Sequence, residues 1–326
     1  MNARLSDYDY DLPSDLIAQR PLPRRDASRM MVLRRAAQTI EHRQFTELKT
    51  LLNSGDLLVL NDTRVLSARK FSDDGAIEFL FTERIGSGRW KCLVKPGRKM
   101  RLGATSKIDN AILRVEEISP EGERIVSLSE DVDLYASGSM PLPPYIGRES
   151  DAEDERRCQT IFADGPGALA APTAGLHFTR EILDEIPHAF VTLHVGTGTF
   201  LPVRSENIRA HRMHPEQFSI SPEAAEKIDN AKRTLAVGTT TVRVLESARR
   251  QNGKLLPQAG SSDLFIYPPY RFRYVDLLFT NFHLPRSTLL MLVYAFAGRD
   301  FVLAAYQEAI RERYRFYSYG DCMLIL

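Results

Sequence analysis

The run Gly55-Asp56-Leu57-Leu58-Val59-Leu60 constrains the fold more than any other segment of this chain. It is short, opens on a turn residue and carries no polar side chain after Asp56. A strand with water on one face alternates; one that stays apolar is covered on both. That requirement points to a sheet with helices on its faces. Residues 152–326 fit the same plan, with strands over 190–195, 235–238, 264–267 and 277–280. Helices are predicted over 241–250, 287–297 and 302–313. Ser221-Pro222-Glu223 adds a helix start, with an N-cap serine, proline in the first turn and an acid beside the dipole. Alternation of this kind implies an α/β core with a mostly parallel sheet.

The stretch 67–151 follows a different rule. Segments 76–83, 89–95, 111–118 and 124–128 are β-branched or alternating, and Gly86-Ser87-Gly88 and Pro96-Gly97 read as turns. It contains no histidine. The sequence therefore predicts a small antiparallel β-barrel of residues 67–151 inserted into a catalytic α/β domain of residues 1–66 and 152–326, with Pro141-Leu142-Pro143-Pro144 as the exit linker. Two domains suit 326 residues. Cys92, Cys158 and Cys322 are widely spaced and odd in number, and the acidic start (Asp7, Asp9, Asp11, Asp15) is unlike a signal peptide. No apolar run approaches a membrane span. A reducing cytoplasm, no membrane partner and a monomer are the expectations.

Net charge is +1, which by itself advertises no polyanionic partner. The charge is nevertheless segregated. Residues 84–101 hold seven basic side chains, no acid and the only tryptophan, Trp90, whereas 116–133 hold seven acids and one arginine. Arginine outnumbers lysine 34 to 9, and its planar fork suits phosphates and stacking.

Six of the seven histidines fall between His177 and His283. Five of them lie in four loops of small and hydroxyl residues: 172–179, 192–200, 211–214 and 280–285. Small residues admit a ligand close to the backbone, and threonines supply hydroxyls. Asn61-Asp62-Thr63-Arg64 ends the apolar strand at the edge where open α/β sheets bind ligands. Ala236-Val237-Gly238-Thr239-Thr240-Thr241 runs from a strand into a helix whose first N–H groups suit an anion. Gly165-Pro166-Gly167-Ala168-Leu169-Ala170 formally matches a dinucleotide fingerprint, but Pro172 stands where its helix would run. A phosphate-binding P-loop is missing. His211 and His214 are spaced to share a metal, yet no cysteine or glutamate completes a zinc pattern.

Read together, these blocks resemble the S-adenosylmethionine:tRNA ribosyltransferase-isomerase family of queuosine biosynthesis. The resemblance runs from Asp9-Tyr10-Asp11-Leu12-Pro13 and Arg25-Asp26-Ala27-Ser28-Arg29 through 55–65, Leu93-Val94-Lys95-Pro96-Gly97, 141–145, 171–179, 192–202, 237–247 and 280–292 to 314–325. It implies an α/β core interrupted by a barrel, with a cleft between them. It also implies transfer of the ribosyl unit of S-adenosylmethionine, a co-substrate rather than a prosthetic group, onto 7-aminomethyl-7-deazaguanine at the tRNA wobble position. The ribosyl isomerises to an epoxycyclopentanediol, and adenine and methionine leave. Departures are Pro268-Pro269 where Pro-Gly is usual, Thr241 for serine, Val244 and Cys322 for alanine, and a shortened link over 68–77.

That chemistry needs bases and a proton donor but no metal. The sulfonium acidifies the adjacent C5′ hydrogens, adenine needs help to leave, and the aminomethyl group must be neutral to attack. His177, His194 and His283 are the candidates for proton transfer, with Asp62, Glu246 and Asp321 as alternative bases or ribose partners. The co-substrate is expected against Asn61, Thr63, Arg64, Thr179, Gly196, Thr197, Gly198 and Asn281, with its carboxylate at Gly238, Thr239, Thr240 and Arg243. Trp90, Lys95, Arg98, Lys99 and Arg101 are expected to meet the anticodon arm by stacking and phosphate contact. Two rival readings remain at this point: a tRNA-binding relative without turnover, and a hydrolase whose metal is held by His177, His194, His211 and His214.

Overall fold

The computed structural model describes residues 4–196, 198, 203 and 205–326. They form two compact bodies. The larger comprises the chain through Arg64, Pro144–Gly147 and Gln159–Leu326; the smaller comprises Val65–Pro143 and Arg148–Cys158. The chain thus returns to the larger body briefly before completing the smaller one, a detour that the expected boundaries at 67 and 151 do not contain.

In chain order the larger body begins with β1 (Arg29–Arg34), β2 (Thr39–Gln44) and β3 (Asp56–Asn61). The smaller follows with β4 (Arg69–Phe71), β5 (Glu78–Gly86), β6 (Arg89–Lys95), β7 (Thr105–Ile108), β8 (Ala111–Ile118), β9 (Arg124–Leu128) and α1 (Ala152–Arg157). The larger body then resumes with α2 (Arg180–Asp184), β10 (His188–Leu193), β11 (Glu216–Ile220), α3 (Pro222–Asp229), β12 (Arg233–Val237) and α4 (Thr239–Ser247). It closes with β13 (Gln258–Ser262), β14 (Leu277–Asn281), α5 (Thr288–Ala297), α6 (Arg299–Arg311) and β15 (Cys322–Ile325). Among the described residues no single helix is long and apolar enough to cross a membrane.

The nine-stranded sheet of the larger body has the order β13-β11-β10-β3-β12-β14-β15-β1-β2. Its centre, β10-β3-β12-β14, is parallel. The flanking pairs β13/β11, β11/β10, β14/β15 and β1/β2 are antiparallel, and β15/β1 is parallel again. The sheet is therefore mixed rather than mostly parallel. The apolar run does occupy its middle: every residue of β3 is buried. Leu57 and Val59 pack in one hydrophobic cluster, Leu58 and Leu60 in another. The same division splits Met31 and Leu33 from Met30 and Val32 on β1. Period-two alternation between two cores is why a central strand can be apolar throughout. Asp56 at the start of β3 is held by the Arg233 guanidinium through bonds of 2.7 and 2.6 Å.

One predicted strand is displaced. Residues 264–267 carry no ladder bonds, although Ile266 is buried and Leu264, Phe265 and Tyr267 pack on the core. The strand is the preceding Gln258–Ser262, a poor strand former that pairs along its length with β11. Burial of the apolar segment is satisfied by side-chain packing alone, so its hydrophobicity says nothing about ladder pairing.

The smaller body holds a six-stranded antiparallel sheet of order β4-β5-β6-β9-β8-β7. It curls far enough that the Asp73 N–H donates to Lys107 O at 2.9 Å and the Lys70 ammonium pairs with Asp109. Trp90 lies inside the curl, 1% exposed, edge-on to Phe81 and Tyr135 at ring distances of 5.8 and 5.0 Å. An indole so enclosed cannot stack on a base, so the expected role of Trp90 in nucleic-acid contact is corrected: it is a core residue. Trp90→Ala is expected to destabilise the protein by about 3–5 kcal/mol in chemical denaturation, the usual cost of emptying such a site.

Candidate active site

Because β10, β3, β12 and β14 run parallel, their carboxyl ends share one edge of the sheet. The loops that leave them begin at His194, Asp62, Gly238 and Phe282. Asn61, the last residue of β3, ties three of these ends together. Its Nδ2 donates to Leu193 O at 2.9 Å and to Thr240 Oγ1 at 3.4 Å. Its Oδ1 accepts from the N–H groups of Leu193 at 2.9 Å and Thr63 at 3.2 Å. The amide is buried and all its capacity is used within the protein. Asn61 therefore positions the loops instead of contacting a co-substrate as expected. Gly238 sits at φ +90°, where a side chain would be strained, and its N–H donates to Phe279 O at 2.7 Å while α4 begins behind it.

Several other predicted site residues are occupied by structural tasks. Thr179 caps α2, accepting from Ile182 N at 3.5 Å. Glu246 receives the Tyr270 hydroxyl and the Arg273 and Tyr274 N–H groups at 3.0–3.2 Å. Asp321 accepts from Arg29 N at 2.9 Å and Arg315 N at 2.8 Å, and burial raises its carboxyl above the usual range. Both carboxylates hold backbone donors, which leaves them poorly placed as bases. Thr239 is buried, and Thr241 Oγ1 donates back to Val237 O at 2.8 Å. The Arg64 guanidinium donates to Ala163 O at 2.9 Å. Thr197 lies outside the described residues.

The histidines fall into separate clusters along this edge. His194 Nδ1 meets Thr63 Oγ1 at 2.8 Å, and its ring lies against Gly167, where a Cβ would come within 2.6 Å of Nδ1. The glycine-rich stretch that mimics a dinucleotide fingerprint thus makes room for an imidazole. Burial lowers the His194 pKa, opposed by the Asp62 carboxylate. Asp62 accepts from Thr192 Oγ1 at 2.7 Å and is itself raised by burial. His177 is buried among Phe45, Phe178 and Phe279, and its Nδ1 meets Ser28 Oγ at 2.8 Å. Its Nε2 and the neighbouring Asn281 Oδ1 are buried without a hydrogen-bond partner. Desolvation pulls the imidazole down to about 4, and the Asn281 side chain works the other way. His283 Nε2 meets Thr280 Oγ1 at 2.8 Å, its N–H donates to the Tyr306 hydroxyl at 3.0 Å, and burial pulls it down to about 3. These side chains share an edge of the sheet without forming one hydrogen-bonded network.

A cavity of about 510 Å³ opens on the same body, lined by Leu5, Pro144, Tyr145, Gly198, Val203, His211, Met213, His214, Glu216, Arg243, Tyr317 and residues 284–289. Arg243 does not await a carboxylate there. Its guanidinium is paired with the buried Glu216, whose other oxygen accepts the Gly196 N–H at 2.9 Å. The sequence reading missed Glu216 because an ion pair across 27 residues leaves no local pattern. It also missed Tyr317, which takes φ +77° and whose carbonyl accepts from Asn281 Nδ2 at 3.0 Å. His211 and His214, noticed only for a shared metal, both line this cavity, and burial lowers His211. Among the described residues no three His, Cys, Asp or Glu side chains group around a common point.

The basic stretch of the smaller body divides in two. Arg84, Arg89 and Lys91 pair with Asp131, Glu116 and Glu83. The segregated charges of the sequence thus meet within one sheet. Lys95, Arg98, Lys99 and Arg101 are exposed; the Lys99 ammonium acts on the Asp74 carboxylate and donates to Ala76 O at 3.3 Å.

The buried imidazoles make stability depend on pH. His177 binds a proton near 6.5 when unfolded and only near 4 when folded, so its contribution is complete above pH 6.5 and is lost as pH falls toward 4. The loss is on the order of 3 kcal/mol. Denaturation midpoints are expected to fall over that window, and His177→Gln should flatten the fall; parallel curves for the two proteins would exclude the effect.

Residues 5–325 match the family described as "Queuosine biosynthesis protein". The chain is 48% identical to the S-adenosylmethionine:tRNA ribosyltransferase-isomerase of Thermotoga petrophila, over 99% of this chain and all of that one. The enzyme of the same name from Carboxydothermus hydrogenoformans is 50% identical, again over 99% and 100%. A crystal structure of the S-adenosylmethionine tRNA ribosyltransferase from Thermotoga maritima aligns with a TM-score of 0.57 at 41% identity, covering 98% of this chain and 100% of that one. With full-length similarity in sequence and in structure, the chain belongs to the queuosine biosynthesis protein family.

Proposed function

We propose that this protein transfers and isomerises the ribosyl moiety of S-adenosylmethionine onto 7-aminomethyl-7-deazaguanine at the tRNA wobble position, yielding epoxyqueuosine, adenine and methionine. The observation that carries this is identity of 48–50% over whole chains to enzymes named for that transfer. The protein acts as a cytoplasmic monomer in this reading, with the larger body as a layered catalytic core and the smaller, barrel-like body as an RNA-binding insertion. His177 and His194 carry the proton transfers. His177 brings its Nε2 beside the Asn281 amide, and His194 stands beside the Asp62 carboxylate. Burial leaves each imidazole neutral and a weaker base than it is in water, but one that needs little reorganisation to accept a proton from a carbon next to a sulfonium. His283, with both its backbone N–H and Nε2 engaged, holds the loop after β14 in place.

Two experiments test this reading. Incubation with S-adenosylmethionine and tRNA carrying the aminomethyl base is expected to release one adenine per tRNA modified, and none with tRNA lacking that base. His177→Ala and His194→Ala should each lower turnover by about 10²–10⁴-fold; full activity in either removes that residue from the scheme. Phosphate contact by the exposed cluster predicts that charge reversal at Arg98, Lys99 and Arg101 weakens tRNA binding and reduces its salt dependence. Unchanged affinity and salt slope would place the RNA elsewhere.

A further inference from the structure

The cavity beside Glu216 and Arg243 has an apolar wall and a polar end whose charges are already compensated. Met213, Leu284 and Leu289 supply the wall, and Tyr317 lines it from a backbone conformation that few non-glycine residues adopt. Such a conformation persists only where the surroundings impose it, and here Asn281 grips the Tyr317 carbonyl while the Tyr317 N–H donates to Phe282 O at 3.1 Å. Among the described residues both arginines of the lining are paired, Arg243 with Glu216 and Arg286 with Asp9. A carboxylate or phosphate that entered would find an acid already beside each guanidinium. Among the described residues an RNA strand, with a phosphate on every nucleotide, finds no uncompensated guanidinium there.

A compensated pair offers something different: an acceptor next to a donor. Glu216 keeps lone pairs beyond those used by Gly196 and Arg243, and Arg243 Nε is buried without a partner. That arrangement complements a neutral heterocycle whose edge carries an amino group beside a ring nitrogen. Hydrogen-bonding pockets of this kind reject analogues that lack the matching group, because the buried partner is then left unpaired.

We propose that this cavity takes the adenosyl half of S-adenosylmethionine, with the edge of adenine toward Glu216 and Arg243 and its faces on the apolar wall. The inference rests on the functional reading above and deepens it. The methionine carboxylate then lies outside the cavity, and Glu216 becomes a specificity-determining residue. Adenine leaves from a site that already holds a guanidinium donor, so departure of the base and recognition of the base use the same pair of side chains.

The test uses 5′-methylthioadenosine, an uncharged adenosyl thioether, and the full chain in equilibrium dialysis. Wild-type protein is expected to bind it, and Leu289→Trp and Leu284→Trp, which fill the apolar wall, should each weaken binding at least tenfold while tRNA affinity and circular dichroism stay unchanged. 5′-Methylthioinosine, with an oxo group in place of the amino group, should bind wild-type protein at least tenfold more weakly, a comparison that needs no variant. Equal affinity for the two nucleosides, or undiminished binding in both folded tryptophan variants, overturns the assignment. So does failure of methylthioadenosine to bind a protein that does bind S-adenosylmethionine. In each of those cases adenine release with modified tRNA would still stand, whereas loss of both S-adenosylmethionine binding and adenine release would overturn the functional reading itself.

Discussion

The buried amide of Asn61 is the interaction on which the arrangement of the larger body depends. The last backbone bond from the end of β3 to β10 runs from the Asp62 N–H to Val191 O at 3.0 Å, and beyond it the Asn61 side chain takes over, meeting both the N–H and the carbonyl of Leu193. The same amide reaches Thr240 at the start of α4 and Thr63 in its own loop. A parallel sheet whose strand ends were free to splay would have no defined edge. Here one satisfied polar group fixes the separation of three loops, and an aliphatic replacement of similar size would leave two backbone groups of Leu193 without partners.

Polar groups at this edge are treated in two ways. Asn61, Thr179 and Asp321 are saturated by protein partners and act as fasteners. His177 Nε2, Asn281 Oδ1 and Arg243 Nε are buried with nothing to bond to. An unmet buried polar atom costs stability, and such atoms also occur away from this edge, at Trp90 Nε1 and Tyr294 Oη.

Much of this was legible in the sequence. The apolar run of β3 forecast a doubly covered strand, and the alternating segments between Glu78 and Leu128 forecast the antiparallel sheet. Gly238, Ser221 and Ser287 mark real helix starts. What was not legible depends on partners far apart in the chain. Nothing local distinguishes the buried Glu216 from a surface glutamate, or shows that Trp90 turns inward while Arg98 and Arg101 turn out. The weak strand Gln258–Ser262 exists because β11 offers an edge, and its own residues do not announce it.

The topology also sets an order of assembly. In the smaller body β5 and β6 are joined by a tight turn, as are β7 and β8 through Asp109 and Asn110, both in the left-handed conformation. Such hairpins close short loops and form quickly. The larger body has the opposite character: β3 finds both neighbours, β10 and β12, only beyond the whole interruption, and β1 pairs with β15 from the far end of the described chain. Loop-closure entropy must be met before those contacts repay it. Local hairpins of the curled sheet are therefore expected to form ahead of the large sheet, whose strands come from either side of the interruption.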